Sequence, residues 1–420
     1  MSRFDKHFRM TEADAAEYAA QRLPAFSGAK RLEAKEIGDG NINYIFRVVN
    51  PDTGYSVIIK HADLGTRSGS RVLGFDRNRI EAELLKYEGV LAPGLVPEVY
   101  DYDPIMACLC MEDLSDHRIL RYEFIDHKTF PRLAADISDF IVKTTVPTLD
   151  MVMDPLEKKE LVKRYINPPL CQITEQLVYT EPYTGKPSRT KVFPPNAEFM
   201  ARELFGDGEL RLEVGKLKYA FMNDAQALVH GDLHSGSIFV TQDSTKVIDP
   251  EFAYFGPIGY DLGNFMGNLC FARANAQAVM ASGTERVAFI DWIDRTIVST
   301  IELFREKFLR QFKASVRDEM GAEPGYAEWF LDSVLADSAG VAGLEINRRV
   351  VGVAQVKDIT GIADPRARAG AERLLVRAAK KYIKGRTGHR RGEDFRATIA
   401  EAAATEPTGI AGAAATSTRP

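Results

Sequence analysis

Apolar positions along this chain change their period several times, and each change predicts a different kind of element. Residues 11–22 open with Thr11 at an N-cap position and Glu12 and Asp14 in the first turn, which predicts a helix. Alternating and β-branched stretches follow at 32–37, 44–49 and 55–60. They are separated by the turn-forming runs Gly38-Asp-Gly-Asn41 and Asn50-Pro-Asp-Thr-Gly54. Helical spacing returns over 76–88, where Ile80, Leu84, Leu85 and Tyr87 share one broad face. Two short strands are predicted at 99–103 and 107–111. The first 110 residues therefore read as a small sheet carrying one long helix.

Beyond Glu112-Asp-Leu114 the pattern becomes mainly helical. The spacing predicts helices over 128–146 and 195–228, with a Pro- and Tyr-rich loop over 167–194 between them. A β patch at 237–241 and 246–249 interrupts, and helices resume from 261 to 383 with Trp292, Phe304, Phe308 and Trp329 as core. From Thr405 the chain is small, polar and unpatterned, which reads as a disordered tail. The expected architecture is α+β and bilobal: a β-rich lobe over 1–111, a hinge over 112–116, a helical lobe over 117–404 and a tail over 405–420.

Composition narrows the function. Of 420 residues, 45% are hydrophobic and 27% charged, an ordinary globular balance. The net charge of −5 makes neither nucleic acid nor an anionic membrane a default partner. The four cysteines form no disulfide framework, and the spacing of Cys108 and Cys110 matches no usual zinc site, so they read as reduced core residues. The N-terminal residues are charged and lack the apolar run of a signal peptide, and no stretch reaches membrane-spanning length. These features set the expectation of a cytoplasmic chain.

Four segments, in order, carry candidate chemistry. Gly38 and Gly40 stand in a turn between two strands, where small residues let backbone N–H groups approach phosphate oxygens. Alone, such a turn is more often a plain hairpin. Lys60 closes an apolar strand and is placed to reach nucleotide phosphates, oriented by Glu81 or Glu83 on the following helix; a lysine reaching solvent is the alternative. In Val229-His-Gly-Asp-Leu-His234, Asp232 is placed to orient an attacking hydroxyl and accept its proton. Gly231 and Gly236 argue against a helix that would align His230 and His234 as metal ligands, so both read as braces of the loop. In Val247-Ile-Asp-Pro-Glu251, Asp249 and Glu251 stand two apart beyond a short strand, able to converge on a magnesium ion that bridges ATP phosphates.

The runs HGDLHSGSIFV and VIDPEFAYFGPIGYDLGNF, the glycine turn, the 166–180 segment and the Arg348-Arg349 pair together resemble the 5-methylthioribose kinases. These lie within the protein-kinase-like group that also holds aminoglycoside phosphotransferases and choline kinases. The likeness spans residues 8–385. Ser237 stands where the wider group has a magnesium-binding Asn, as is usual in methylthioribose kinases, whose Asp-x-Glu replaces the common metal signature. The resemblance implies ATP and Mg2+ as cofactors and transfer of phosphate to the 1-hydroxyl of 5-methylthioribose in methionine salvage, by a homodimer. It implies that Gly38, Gly40, Asn43, Lys60 and Glu81 serve the phosphates. It further implies that Glu112, Asp113 and Leu114 receive adenine, that Asp249, Pro250 and Glu251 complete the ATP and metal site, and that Asp232, Arg348 and Arg349 meet the sugar.

Four alternatives remain at this stage. Gln355, where the family commonly has His, leaves room for a related acceptor such as 5-deoxyribose. A nucleotide-binding module without turnover is a second possibility. Adjacent helical residues point about 100° apart, so one arginine of the pair is free to serve a surface carboxylate instead. Phe252, Tyr254, Phe255 and Tyr260 read either as core or as packing for a methylthio group.

Overall fold

The computed structural model describes residues 2–37, 43–63 and 74–405. Gly38, Gly40 and the 406–420 part of the expected tail lie outside the described residues. Helix α1 (Glu12–Arg22) is opened by a reciprocal capping box, in which the Thr11 hydroxyl accepts from Asp14 N and the Asp14 carboxylate accepts from Thr11 N. Strands β1 (Glu33–Glu36), β2 (Asn43–Val49) and β3 (Ser56–Ala62) follow. The β2–β3 hairpin closes where Gly54, at φ +74°, donates to Asn50 O at 2.8 Å. Then come α2 (Asp76–Leu91), β4 (Val99–Asp103) and β5 (Cys108–Glu112), completing an antiparallel sheet of order β1-β2-β3-β5-β4.

Register divides this sheet into two faces. Phe46, Ile59 and Cys110 lie opposite one another and pack with Ala15, Tyr18 and Ala19 of α1. Ile45, Lys60 and Leu109 share the other face, toward α2 and the rest of the molecule. Strand period places Asn43 on that second face as well. Both Cys108 and Cys110 are buried free thiols.

From Glu112 the chain runs to β6 (Arg118–Ile119), α3 (Leu120–Ile125), α4 (Leu133–Thr145), α5 (Pro155–Arg164) and α6 (Pro168–Leu177). The short α7 (Ala197–Met200) and α8 (Gly208–Asn223) lead into β7 (Ala227–Val229), β8 (Ile238–Val240), β9 (Thr245–Val247) and β10 (Tyr254–Gly256). The remainder is α9 (Gly259–Val279), α10 (Thr284–Ser315), α11 (Tyr326–Val351), α12 (Lys357–Thr360), α13 (Pro365–Lys384) and α14 (Gly392–Ala404). Helix α9 is buried on all sides from Gly259 to Ala276. It lies close against α11 because its glycines face that helix: a Cβ on Gly263 would stand 2.5 Å from Ser338 O. Among the described residues, no helix is long and apolar enough to cross a membrane.

Several expectations need correcting. The 167–194 loop contains α6: Asn167, at φ +44°, turns the chain, and Pro168 and Pro169 occupy first-turn positions where a missing N–H costs nothing. Helix α4 begins at Leu133 rather than 128, since Pro131 disfavours helical geometry before it. Phe304 and Phe308 are core, whereas Trp329 is 62% exposed, because its neighbours Tyr326 and Phe330 take the inward face of α11 against Phe312 and Phe308. Trp292 is partly buried against Phe124 and Phe289. Helices α5 and α14 and the β7–β10 pair carry no sequence signal used above.

Candidate active site

Strand β7 delivers the His230–His234 loop to the floor of a cleft. Gly231, at φ +83°, passes so close to the next segment that a Cβ would stand 2.3 Å from Phe252 O, so only glycine fits. Asp261, in the first turn of α9, accepts from His230 N at 2.7 Å and Gly231 N at 2.9 Å. His230 Nδ1 accepts the Asp232 N–H, which leaves Nε2 to donate to Ile248 O at 2.9 Å. The Asp232 loop is thereby tied to the Asp249 strand end. His234 Nδ1 accepts from Gly236 N, and the Ser237 hydroxyl lies 3.2 Å from that same nitrogen. Both histidines thus brace the loop, and Ser237 is engaged by His234.

Asp261 was not singled out from the sequence, where an aspartate inside GYDLGNF looks like any first-turn acid. It is 2% exposed, and burial raises its carboxyl pKa, with the two N–H bonds and His230 acting against that rise. Asp261→Ala is expected to lower stability by about 1–3 kcal/mol for each buried N–H left unpaired, read from urea unfolding. Unchanged stability would show that water replaces the carboxylate freely.

The Asp232 carboxylate, 21% exposed, faces Arg348 Nη2 at 3.0 Å, His234 Nε2 at 3.3 Å and Arg349 Nη2 at 4.0 Å. Burial works against its charge, but His234 and the two guanidinium groups prevail and hold its pKa well below the usual carboxylate range. Both arginines come from the last turn of α11 and are held by Glu345, one turn earlier, at 2.6 and 2.9 Å. Gln355 donates to Val350 O and Lys191 O, so its amide secures backbone. Tyr254, Phe255 and Tyr260 are buried, and Phe252 alone of the four aromatics reaches the cavity wall.

Across the cleft, Lys60 Nζ lies 2.7 Å from Glu81 Oε2 and also bonds Asp249. Glu83 instead pairs with Arg79 and Arg164. Burial opposes the Lys60 charge, but Asp249, Glu81 and Glu251 outweigh it and raise its pKa. Asp249 adopts a left-handed conformation, φ +71°, unusual for a residue with a Cβ and typical of a strained functional position. Lys60 holds the Asp249 carboxyl below its ordinary pKa against the opposing effect of desolvation. Glu251 goes the other way, raised by burial and then by Asp249. One carboxylate oxygen from each of Glu81, Asp249 and Glu251 lies within 4.8 Å of the others. Glu251 also accepts from Asn43 Nδ2 at 3.4 Å and lies 3.5 Å from Arg77 Nη1.

Arg77 and Asn167 are further residues the sequence reading missed. Arg77, 3% exposed on α2, also donates to Asn43. Asn167 Nδ2 donates to Glu251 O and Ala253 O, both at 2.9 Å, fixing the backbone that carries the Asp-Pro-Glu turn. A strongly buried arginine next to a helix start leaves no local pattern, whereas Asn167 sits in a segment already quoted for its family likeness. At the lobe connection, Glu112 pairs with Lys246 at 2.6 Å, and Asp113 accepts from Arg47 Nε at 2.6 Å and Ser56 Oγ. Leu114 is buried.

A cavity of about 470 Å³ joins these groups. Asn43, Lys60, Asp249, Glu251, Asp232, His234, Arg121, Arg348 and Arg349 all line it. Ile173 and Leu177 of α6, with Val353, add an apolar side. A five-stranded lobe bearing a buried Lys–Glu pair, set against a helical lobe bearing the Asp232 and Asp-Pro-Glu loops, defines a phosphotransferase of the protein-kinase-like fold.

The sequence profile of the phosphotransferase enzyme family matches residues 33–292. The methylthioribose kinase of Geobacillus kaustophilus (strain HTA426) is 39% identical over 394 residues, covering 93% of this chain and 96% of that one. Those of Erwinia tasmaniensis and Cronobacter sakazakii (strain ATCC BAA-894) are 38% and 36% identical, over 88% and 89% of this chain and 93% of each relative. The chain belongs to the phosphotransferase enzyme family and, within it, to the methylthioribose kinases.

Proposed function

We propose that this chain transfers the γ-phosphoryl group of ATP to the anomeric 1-hydroxyl of 5-methylthioribose, giving 5-methylthioribose 1-phosphate for methionine salvage. The observation that carries the reading is the Asp232 carboxylate, clasped by Arg348 and His234 in the same cavity that Lys60, Asp249 and Glu251 line. The hydroxyl oxygen attacks the γ-phosphorus, its proton passes to Asp232, and the bond from phosphorus to the leaving oxygen of ADP breaks. Asp232 contributes mainly by holding that oxygen in line, since a carboxyl so strongly stabilised as its anion is a weak base.

Lys60, oriented by Glu81, and Asn43 serve the phosphates, with Gly38 and Gly40 of the preceding turn assigned beside them from the family likeness. The backbone of Glu112, Asp113 and Leu114 receives adenine, in a connection steadied by the Lys246 and Arg47 pairs. Asp249 and Glu251, spaced by Pro250, offer an oxygen-only donor set that suits Mg2+. An ion held there would supply positive charge to offset the negative charge of the phosphates.

Arg348 and Arg349 face the sugar and the group in transfer. A polycationic aminoglycoside would meet three guanidinium groups here, which favours a neutral acceptor. Ile173, Leu177 and Val353 suit a thiomethyl substituent. An ADP-release assay over a panel of pentoses and aminoglycosides tests the assignment, with methylthioribose expected to give the highest kcat/KM; a preference for any aminoglycoside would overturn it. Arg348→Lys is expected to lower kcat/KM for methylthioribose by about 10–100-fold, because a point charge does not reproduce a planar fork. ATP affinity should be unchanged, and full activity in the variant would make Arg348 structural.

A further inference from the structure

Beside Asp232 the cavity wall carries a third guanidinium that no role above uses. Arg121, the second residue of α3, has its side chain 18% exposed. Its Nε donates to Ser235 Oγ at 3.3 Å and lies 3.8 Å from Asp358 Oδ2, while Nη2 is covered and has no hydrogen-bond partner among the described residues. A Cβ on Gly236 would stand 2.9 Å from His234 Cε1 and 3.1 Å from both Cζ and Nη1 of Arg121, so the glycine leaves space for both side chains. Arg349 Nη2, also on the cavity wall, likewise has no hydrogen-bond partner among the described residues, with Asp232 4.0 Å away.

Charge bookkeeping indicates what this group is for. In the resting cleft, Arg121, Arg348 and Arg349 are opposed by Asp232, Glu345 and Asp358. Burial and the neighbouring Arg349 both weigh against the Arg121 charge, so this cation is short of anionic company. The sugar proton that passes to Asp232 stays there only transiently, since that carboxyl is held well below its ordinary pKa. At the same stage a phosphoryl group carrying about two negative charges arrives on the sugar oxygen. The guanidinium groups thus gain an anionic partner on the 1-oxygen as the product forms, whereas the neutral sugar offers them none.

We propose that Arg121 is a further substrate-binding residue, holding the phosphoryl group as it arrives on the 1-oxygen and so binding a monosaccharide 1-phosphate in preference to the neutral sugar. This rests on the kinase reading above. A charge-assisted fork on a phosphate is stronger than a hydrogen bond to a neutral hydroxyl, which makes the residue selective for the later stages of transfer.

The test compares Arg121→Lys, which keeps a charge opposite Asp358, with the double variant Arg121→Gln/Asp358→Asn, which removes both charges together. Titration calorimetry with 5-methylthioribose and with 5-methylthioribose 1-phosphate reads the two affinities separately, and thermal melting confirms folding. Product binding is expected to weaken about 10-fold or more in both variants and sugar binding by less than about 3-fold, with kcat/KM lowered about 10–100-fold. Product affinity within about 2-fold of the wild type in either folded variant would overturn the proposal, as would equal weakening of sugar and product. Turnover by the unmodified chain decides the kinase reading separately: a wild type active on methylthioribose whose variants bind product normally refutes only the role of Arg121.

Discussion

Asp232→Asn is expected to lower kcat by about 10²–10⁴-fold while changing ATP affinity by no more than about 2-fold. The amide still accepts the Arg348 hydrogen bond and nearly preserves shape, but it cannot take the proton of the attacking hydroxyl. It also offers less negative charge to the guanidinium groups at 3.0 and 4.0 Å. ATP binding is spared because Lys60 is held by Glu81 and Asp249, not by Asp232. The pH profile gives a second reading. His234 and the two arginines hold the Asp232 carboxyl well below its ordinary pKa, so it is ionised throughout about pH 5–8. The wild-type kcat/KM should then show no acid limb from this group in that window, and activity from Asp232 is lost only as pH falls through its depressed pKa. Near-wild-type kcat in the asparagine variant would remove Asp232 from the reaction.

Asp249→Ala is expected to abolish the tightening of ATP binding by Mg2+. Asp249 is the carboxylate of the cluster that Lys60 keeps ionised, and it is more open to the cleft, with its side chain 41% exposed against 6% for Glu251. Glu251→Ala should lose less of the coupling, because burial and Asp249 raise the Glu251 pKa and make it a poorer anion. Removing Asp249 also frees the Lys60 ammonium from one partner, so ATP affinity without metal is expected to hold or rise slightly. Calorimetry with and without Mg2+ separates the two effects; coupling retained in both variants would place the metal elsewhere.

Much of this architecture was legible because it rests on short-range rules. The alternating runs at 44–49 and 55–60 and the Thr11 N-cap are local, and β2, β3 and α1 formed within two residues of those patterns. The His-Gly-Asp and Asp-Pro-Glu segments were visible for a similar reason: each packs several chemical groups into a few adjacent residues. Where a single residue type carries two meanings, the pattern misled. Pro168 and Pro169 looked like loop markers yet start α6, and Trp329 looked like core yet points outward.

By itself, then, the order of residues along the chain determined the α+β division, the family, and a set of polar residues with phosphate chemistry. Only the tertiary structure decided which of them face one another. The choice between Glu81 and Glu83 depended on which side of α2 meets β3, and helical spacing of two leaves both on offer until the sheet is docked. The contacts from Asp261 to the His230–Gly231 backbone, from Asn167 to the Glu251 turn, and of Arg121 over Gly236 join segments far apart in sequence. A buried polar group must find a partner. Periodicity carries no record of which one, because it reports the direction of a side chain from its own helix or strand and nothing about what packing brings to meet it.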